Sequence, residues 1–206
     1  MAYNPQIHNR RSIRLKDYDY SQKGLYFLTI CCQSRISYFG KIENGKMILN
    51  DAGKMIETWY WELGNKFSDI QCHEMVVMPN HFHCIIENIG TKNKKNVGAD
   101  LCVCPKNQCV CPKNQCVCPK TNKNLDKYQG EHIGSPLHDV VRWFKTMTTN
   151  AYIRGVKNMG WQRFNRKLWQ RNYWEHIIRN EKSLEQIANY IYENPMRWQQ
   201  DKLFNK

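Results

Sequence analysis

Apolar and polar residues alternate along this chain with two distinct periods, and the switches between them mark out the elements. Gly24 opens the run Leu25-Tyr-Phe-Leu-Thr-Ile-Cys31, whose aromatic and β-branched content predicts a buried strand. Tyr38 to Leu49 reads as two short strands around Glu43-Asn44-Gly45, where Asn-Gly favours a tight hairpin. From Asp51, which can cap a helix, Ala52, Ile56, Trp59, Tyr60 and Leu63 follow at helical spacing, and Gly64-Asn65 closes the run. Ile70 to Met78 predicts a strand, Pro79-Asn80 a turn and His81 to Glu87 a further strand. Ser135-Pro136 predicts a helix start with proline at the first helical position. Leu137, Val140, Val141, Phe144, Met147, Thr148 and Ala151 then trace one helical face. A last helix is predicted from Ser183, with Gln186 completing a capping box and Leu184, Ile187, Ala188 and Ile191 as its stripe; Pro195 stops it. The order predicts an α+β sandwich: a mainly antiparallel sheet with helices packed on one face.

Residues 88–134 break these periods. Cys102-Val-Cys-Pro-Lys-Asn-Gln108 recurs identically from Cys109 to Gln115, and again from Cys116 until it departs at Thr121-Asn122. A proline in every unit forbids a helix with this seven-residue period. The expected organisation is a basic arm over 1–23 and one domain over 24–206, interrupted by a disordered surface insertion at about 90–132.

Composition narrows the function. The 206 residues suit one domain with decorations, and 31 basic against 18 acidic residues give a net charge of +13. Such a surplus attracts polyanions, of which nucleic acid is the commonest. No stretch is long and apolar enough for a membrane span, and the polar, basic residues 1–16 lack the apolar core of a secretory signal. The expectation is a cytoplasmic protein without a membrane partner, so its ten cysteines are expected as reduced thiols.

The sharpest chemistry lies in Met78-Pro-Asn-His-Phe-His83. On a strand, His81 and His83 share one face while Phe82 points to the other, into a core. Two imidazoles on one face form a metal-ligand arrangement, but a hard divalent ion needs oxygen donors as well. Tyr190 and Asn194 lie one helical turn apart beside the Ile187/Ile191 stripe. A tyrosine there can act as nucleophile and an asparagine can offer a carbonyl oxygen. Spacing alone equally allows an ordinary boundary tyrosine and a helix-stop asparagine.

Several segments resemble, in order, the REP-associated tyrosine transposases, a branch of the HUH single-strand transposase superfamily. These are Arg10-Arg-Ser-Ile-Arg-Leu15 with Tyr18-Asp-Tyr-Ser21 and Gly24-Leu-Tyr-Phe-Leu-Thr29; Val77-Met-Pro-Asn-His-Phe-His83; Trp169-Gln-Arg-Asn-Tyr-Trp-Glu-His-Ile-Ile-Arg179; and Tyr190-Ile-Tyr-Glu-Asn-Pro195. The resemblance implies a ferredoxin-like fold of HUH endonuclease type. It implies His81, His83 and Asn194 as ligands of Mg²⁺ or Mn²⁺, and Tyr190 as the catalytic tyrosine. Tyr192, the competing tyrosine, lies on another side of the helix and does not match the motif position. The implied activity is metal-dependent nicking and rejoining of single-stranded, hairpin-forming DNA through a 5′-phosphotyrosine, in a nucleoid-associated bacterial protein that is a monomer or homodimer. The alternative is a catalytically inactive DNA-binding protein derived from such a transposase.

DNA contacts are expected from Arg10, Arg11 and Arg14 of the arm and from Arg163, Arg166, Arg171, Tyr173 and Arg179. Trp161 and Trp169 are expected in the core. No general base stands out: Glu74, on the neighbouring strand, is expected in a structural role with general base as its alternative, and His176 is expected as a buried, hydrogen-bonded histidine. Zinc binding by the repeat cysteines is a weaker reading, since C-x-C units separated by proline differ from the usual C-x-x-C knuckles.

Overall fold

The computed structural model describes residues 18–90 and 136–204. Arg10, Arg11, Arg14, Ser135 and the repeat insertion from residue 91 onward lie outside the described residues. The chain runs through β1 (Gly24–Cys31), β2 (Gly40–Glu43), β3 (Lys46–Leu49), α1 (Asp51–Lys66), β4 (Ile70–Met78), β5 (His81–Asn88), α2 (Leu137–Asn158), β6 (Trp174–Ile178) and α3 (Glu181–Glu193). The main sheet has the order β4-β5-β1-β6 with every neighbouring pair antiparallel. This is the ferredoxin-like arrangement of strand, helix, two strands, helix and strand. The hairpin β2–β3 is inserted after β1, and α3 is added after β6. Asn44 and Gly45 both take positive φ, 51° and 72°, as the tight hairpin requires.

The two-residue period of the strands divides the sheet into two faces. Tyr26, Leu28 and Ile30 of β1 and Phe82, Cys84 and Ile86 of β5 point into the main core. There they meet Ile56, Tyr60 and Leu63 of α1 and Val140, Val141 and Phe144 of α2. These two helices form the predicted layer on one face. The other face is apolar only in part: Ile85 and Ile178, with Phe27 beside them, pack under Leu184, Ile187 and Ile191 of α3. α3 therefore lies on the face opposite α1 and α2, where the remaining sheet positions include His81 and His83.

Helix starts differ from the sequence reading by one to three residues. The N-cap of α1 is Asn50, whose side-chain oxygen accepts from the Gly53 N–H at 2.9 Å. Asp51 instead opens the first turn, where its negative charge meets the helix dipole. In α2 the proline at 136 is the cap rather than the first helical residue. In α3 the cap is Asn180, which accepts from the Ser183 N–H at 2.8 Å, so Ser183 lies within the first turn and does not open a capping box.

The segment after α2 folds back across it. Trp169 is 5% exposed and donates from its indole N–H to Thr148 Oγ1 at 2.9 Å. Trp161 lies so close to Gly155 that a Cβ there would stand 2.2 Å from its ring, which explains a glycine inside this helix. Cys31, Cys32, Cys72 and Cys84 are free thiols. No described helix is long and apolar enough to cross a membrane.

Candidate active site

The register of the sheet puts the site on the α3 face. Cys31 pairs with His81, and Thr29 lies between His83 on β5 and Trp174 on β6. His81 and His83 are 0% and 2% exposed, so the pair is buried rather than wetted on an open face. Their Nε2 atoms lie 3.0 Å apart. Across them Tyr190 brings its hydroxyl to 3.4 Å from His83 Nε2, and the Tyr190 ring stands edge-on to Phe27.

The outer nitrogens are both held. His81 Nδ1 contacts Asn80 Oδ1 at 2.8 Å. Asn80 donates its amide N–H groups to the Arg35 and Leu203 carbonyls, at 3.1 and 2.8 Å, which fixes its oxygen as an acceptor. The His81 proton therefore sits on Nδ1, and Nε2 presents a bare lone pair to the site. His83 Nδ1 contacts Thr29 Oγ1 at 2.8 Å, and that hydroxyl can donate or accept. When His83 carries its proton on Nδ1, both Nε2 lone pairs converge on one point. Fixing the outer nitrogen in this way orients an imidazole for a metal.

Burial keeps both rings neutral. It pushes the His81 pKa down to about 3, helped by nearby Arg35. Burial also holds His83 well below the usual histidine value, with His81 adding to the effect and Asp201 opposing it. The unfolded chain, with histidines titrating near 6.5, therefore takes up protons first as pH falls. In chelator-treated buffer, stability should drop as pH is lowered from about 7 toward 4, by up to about 1.4 kcal/mol per pH unit for each histidine. Urea midpoints measured across that range check this, and a His81→Asn, His83→Asn double variant should flatten the slope.

Asn194, the third residue of the predicted set, lines the same cleft as His83 and Tyr190. It is 3% exposed, and its Oδ1 is buried with no hydrogen-bond partner among the described residues. A buried, unsatisfied carbonyl oxygen costs about 1–3 kcal/mol, which a ligand would relieve. Asp201, which sequence reasoning passed over, lies beside the pair. One donor atom each from His81, His83 and Asp201 falls within 4.8 Å of the others. Two neutral nitrogens with amide and carboxylate oxygens fit a divalent ion of Mg²⁺ or Mn²⁺ type.

The site opens into a cleft of about 610 Å³ lined by Thr29, His83, Trp174, Tyr190, Asn194 and Asp201, together with the cations Arg35, Arg197 and Lys202. Burial raises the Tyr190 pKa and Asp201 raises it further, while a hydrogen bond from Asn194 lowers it. Tyr192 is 81% exposed and lines no part of this cleft.

The remaining predicted residues are dispersed. Arg166 and Arg171 line a second basic cleft of about 570 Å³ between α2 and the segment after it, together with Arg142, Lys145 and Lys167. Tyr173 reaches this cleft but is 9% exposed and packs in the main core, with Lys145 over its ring at 5.4 Å. Its face is therefore occupied, and Trp174, 62% exposed, is the open aromatic. Arg163 is exposed and lies in neither cleft. Arg179 lines a third cleft with His176, which is exposed rather than buried because it sits on the outer strand β6. Glu74 is exposed on β4 and does not line the active cleft. Trp161 and Trp169 pack with the core as expected.

A Haemophilus influenzae protein described as uncharacterized is 39% identical over 206 residues, which cover 98% of this chain and 97% of its own. The two chains belong to one family. A second protein of that organism, named "Putative REP-associated tyrosine transposase", is 50% identical over 30 residues, 15% of this chain and 17% of its own. A solved REP-associated tyrosine transposase bound to a REP hairpin superposes with a TM-score of 0.50 at 19% identity, covering 92% of this chain and 76% of that one. The fold is that of a REP-associated tyrosine transposase. No protein-family model matches the chain. The ferredoxin-like sheet is thus shared with a transposase fold.

Proposed function

We propose that this protein nicks and rejoins single-stranded, hairpin-forming DNA, with Tyr190 as nucleophile and a Mg²⁺ or Mn²⁺ ion held by His81, His83 and Asn194. The observation that carries the reading is the convergence of a tyrosine hydroxyl, two buried imidazole Nε2 atoms and a buried amide oxygen otherwise unsatisfied among the described residues. The bound ion would polarise the scissile phosphate and stabilise the departing 3′-oxygen.

The rest of the chemistry belongs to the chain. Tyr190 Oη forms the new bond to phosphorus, the bond to O3′ breaks, the tyrosine proton leaves to solvent, and O3′ takes up a proton. The product is a 5′-phosphotyrosine and a free 3′-OH. The covalent ester conserves the phosphodiester energy, so a second 3′-OH can attack and restore Tyr190. The cations that line the cleft, Arg35, Lys202 and Arg197 (the last paired with Glu193), suit the backbone phosphates, and the Trp174 ring offers a stacking face for an unpaired base. A transposase of this fold holds a REP hairpin, and the +13 charge favours the same class of ligand here.

The test is incubation of the protein with labelled hairpin-bearing single-stranded DNA and Mn²⁺, followed by denaturing electrophoresis. A denaturation-resistant protein–DNA adduct that needs the metal is expected. DNA binding without any adduct would favour the inactive DNA-binding reading.

A further inference from the structure

Resting on the metal-site reading above, we infer that Asp201 is the anionic ligand of the same ion, delivered by the segment after α3 and held in place with His81 by Asn80. Asp201 Oδ2 lies 4.0 Å from His81 Nε2, with its side chain 9% exposed. Its other oxygen, Oδ1, accepts from the Leu203 N–H at 2.7 Å, which turns Oδ2 toward the histidines.

The segment is tied down at several points. Asn80 donates to the Leu203 carbonyl and Arg35 to the Lys202 carbonyl, at 2.8 and 3.1 Å. The Trp198 ring lies tilted at 5.8 Å from the His81 ring, and Phe204 stands edge-on to Trp198 at 5.2 Å. Asn80 is the fork in this arrangement. Its oxygen sets the His81 tautomer and its nitrogen anchors the chain two residues beyond Asp201.

Charge gives the reason for a carboxylate. Two imidazoles and an amide leave the full double charge of the ion in a buried site, and such charge is costly unless compensated. Asp201 has the matching need. Its side chain is largely buried, and the His81 ring is the neighbour that faces Oδ2. The unsatisfied Oδ1 of Asn194, which lines the same cleft as Asp201, points independently to a ligand there.

Mn²⁺ binding to the full chain, read from the electron paramagnetic resonance signal of the free ion, tests this without reference to catalysis. Asp201→Asn keeps the size of the side chain and the acceptor for Leu203. Its Mn²⁺ affinity should fall at least about 10-fold, while the exposed Asp51→Asn should bind as the wild type does. Equal affinity in Asp201→Asn and wild type overturns the inference. If Asp201→Asn melts early in chelator, amide exchange on the wild type decides. Slower exchange at Lys202 to Phe204 on adding Mn²⁺ supports the ligand role, and unchanged exchange overturns it. A wild type that binds no Mn²⁺ overturns instead the metal-site reading beneath it.

Discussion

Tyr190→Phe should abolish the covalent protein–DNA adduct and lower strand cleavage by at least about 1,000-fold, the scale on which loss of a nucleophile acts. The phenylalanine keeps the ring that packs edge-on to Phe27, so the fold should be unchanged. What is lost is the hydroxyl 3.4 Å from His83 Nε2. DNA affinity and Mn²⁺ affinity should change little, because neither the cleft cations nor the ligand atoms are touched. Tyr192→Phe is the matched control: its side chain is 81% exposed and its removal should leave the adduct intact. The measurement is adduct yield on a denaturing gel, paired with filter binding of the same DNA. An adduct of normal yield from Tyr190→Phe would remove Tyr190 from the chemistry.

His83→Ala should lose Mn²⁺ binding by more than about 100-fold and lose the adduct with it. His83 is the hinge of the site: it touches Thr29, His81 and Tyr190 at 2.8, 3.0 and 3.4 Å. Its side chain lies on the α3 face, away from the main core, so the packing of α1 and α2 on the sheet should survive. The metal-free variant should also be less sensitive to acid than the wild type, since one of the two depressed imidazoles is gone. Calorimetric Mn²⁺ titration and acid unfolding on the same preparation check both parts. Full Mn²⁺ affinity in His83→Ala would place the metal elsewhere.

Much of the fold was legible because strand and helix periods differ. The runs at 25–31, 70–78 and 81–87 gave three of the four main strands to within a residue. The alternation of His81, Phe82 and His83 correctly sent the phenylalanine to the core and the histidines to the opposite face. Helix caps were misplaced where several good capping residues stand close together, as with Asn50 beside Asp51 and Asn180 ahead of Ser183. The face chosen by α3 was not readable from its own stripe. An apolar stripe says that a helix packs, and the pairing of β6 with β1 decides where.

Within the site, the i, i+4 spacing put Tyr190 and Asn194 on one side of a helix. Only the resemblance, and then the tertiary structure, brought that side to the histidines. Thr29, Asn80 and Asp201 went unnoticed for a related reason. A threonine in a strand, an asparagine in a turn and an aspartate after a helix carry no pattern of their own. Their roles come from hydrogen bonds to residues up to 123 positions away.

That distance along the chain also sets a timetable. His83 and Tyr190 are separated by 107 residues, so a ribosome adding about 5–20 residues per second needs roughly 5–20 s to supply the second after the first. A nascent chain that stops short of Tyr190 displays the paired imidazoles without the hydroxyl that would attack DNA. One that stops short of Leu203 leaves the Asn80 amide without its carbonyl acceptor. On the proposed roles, nicking competence therefore waits until α3 and the segment after it have been made.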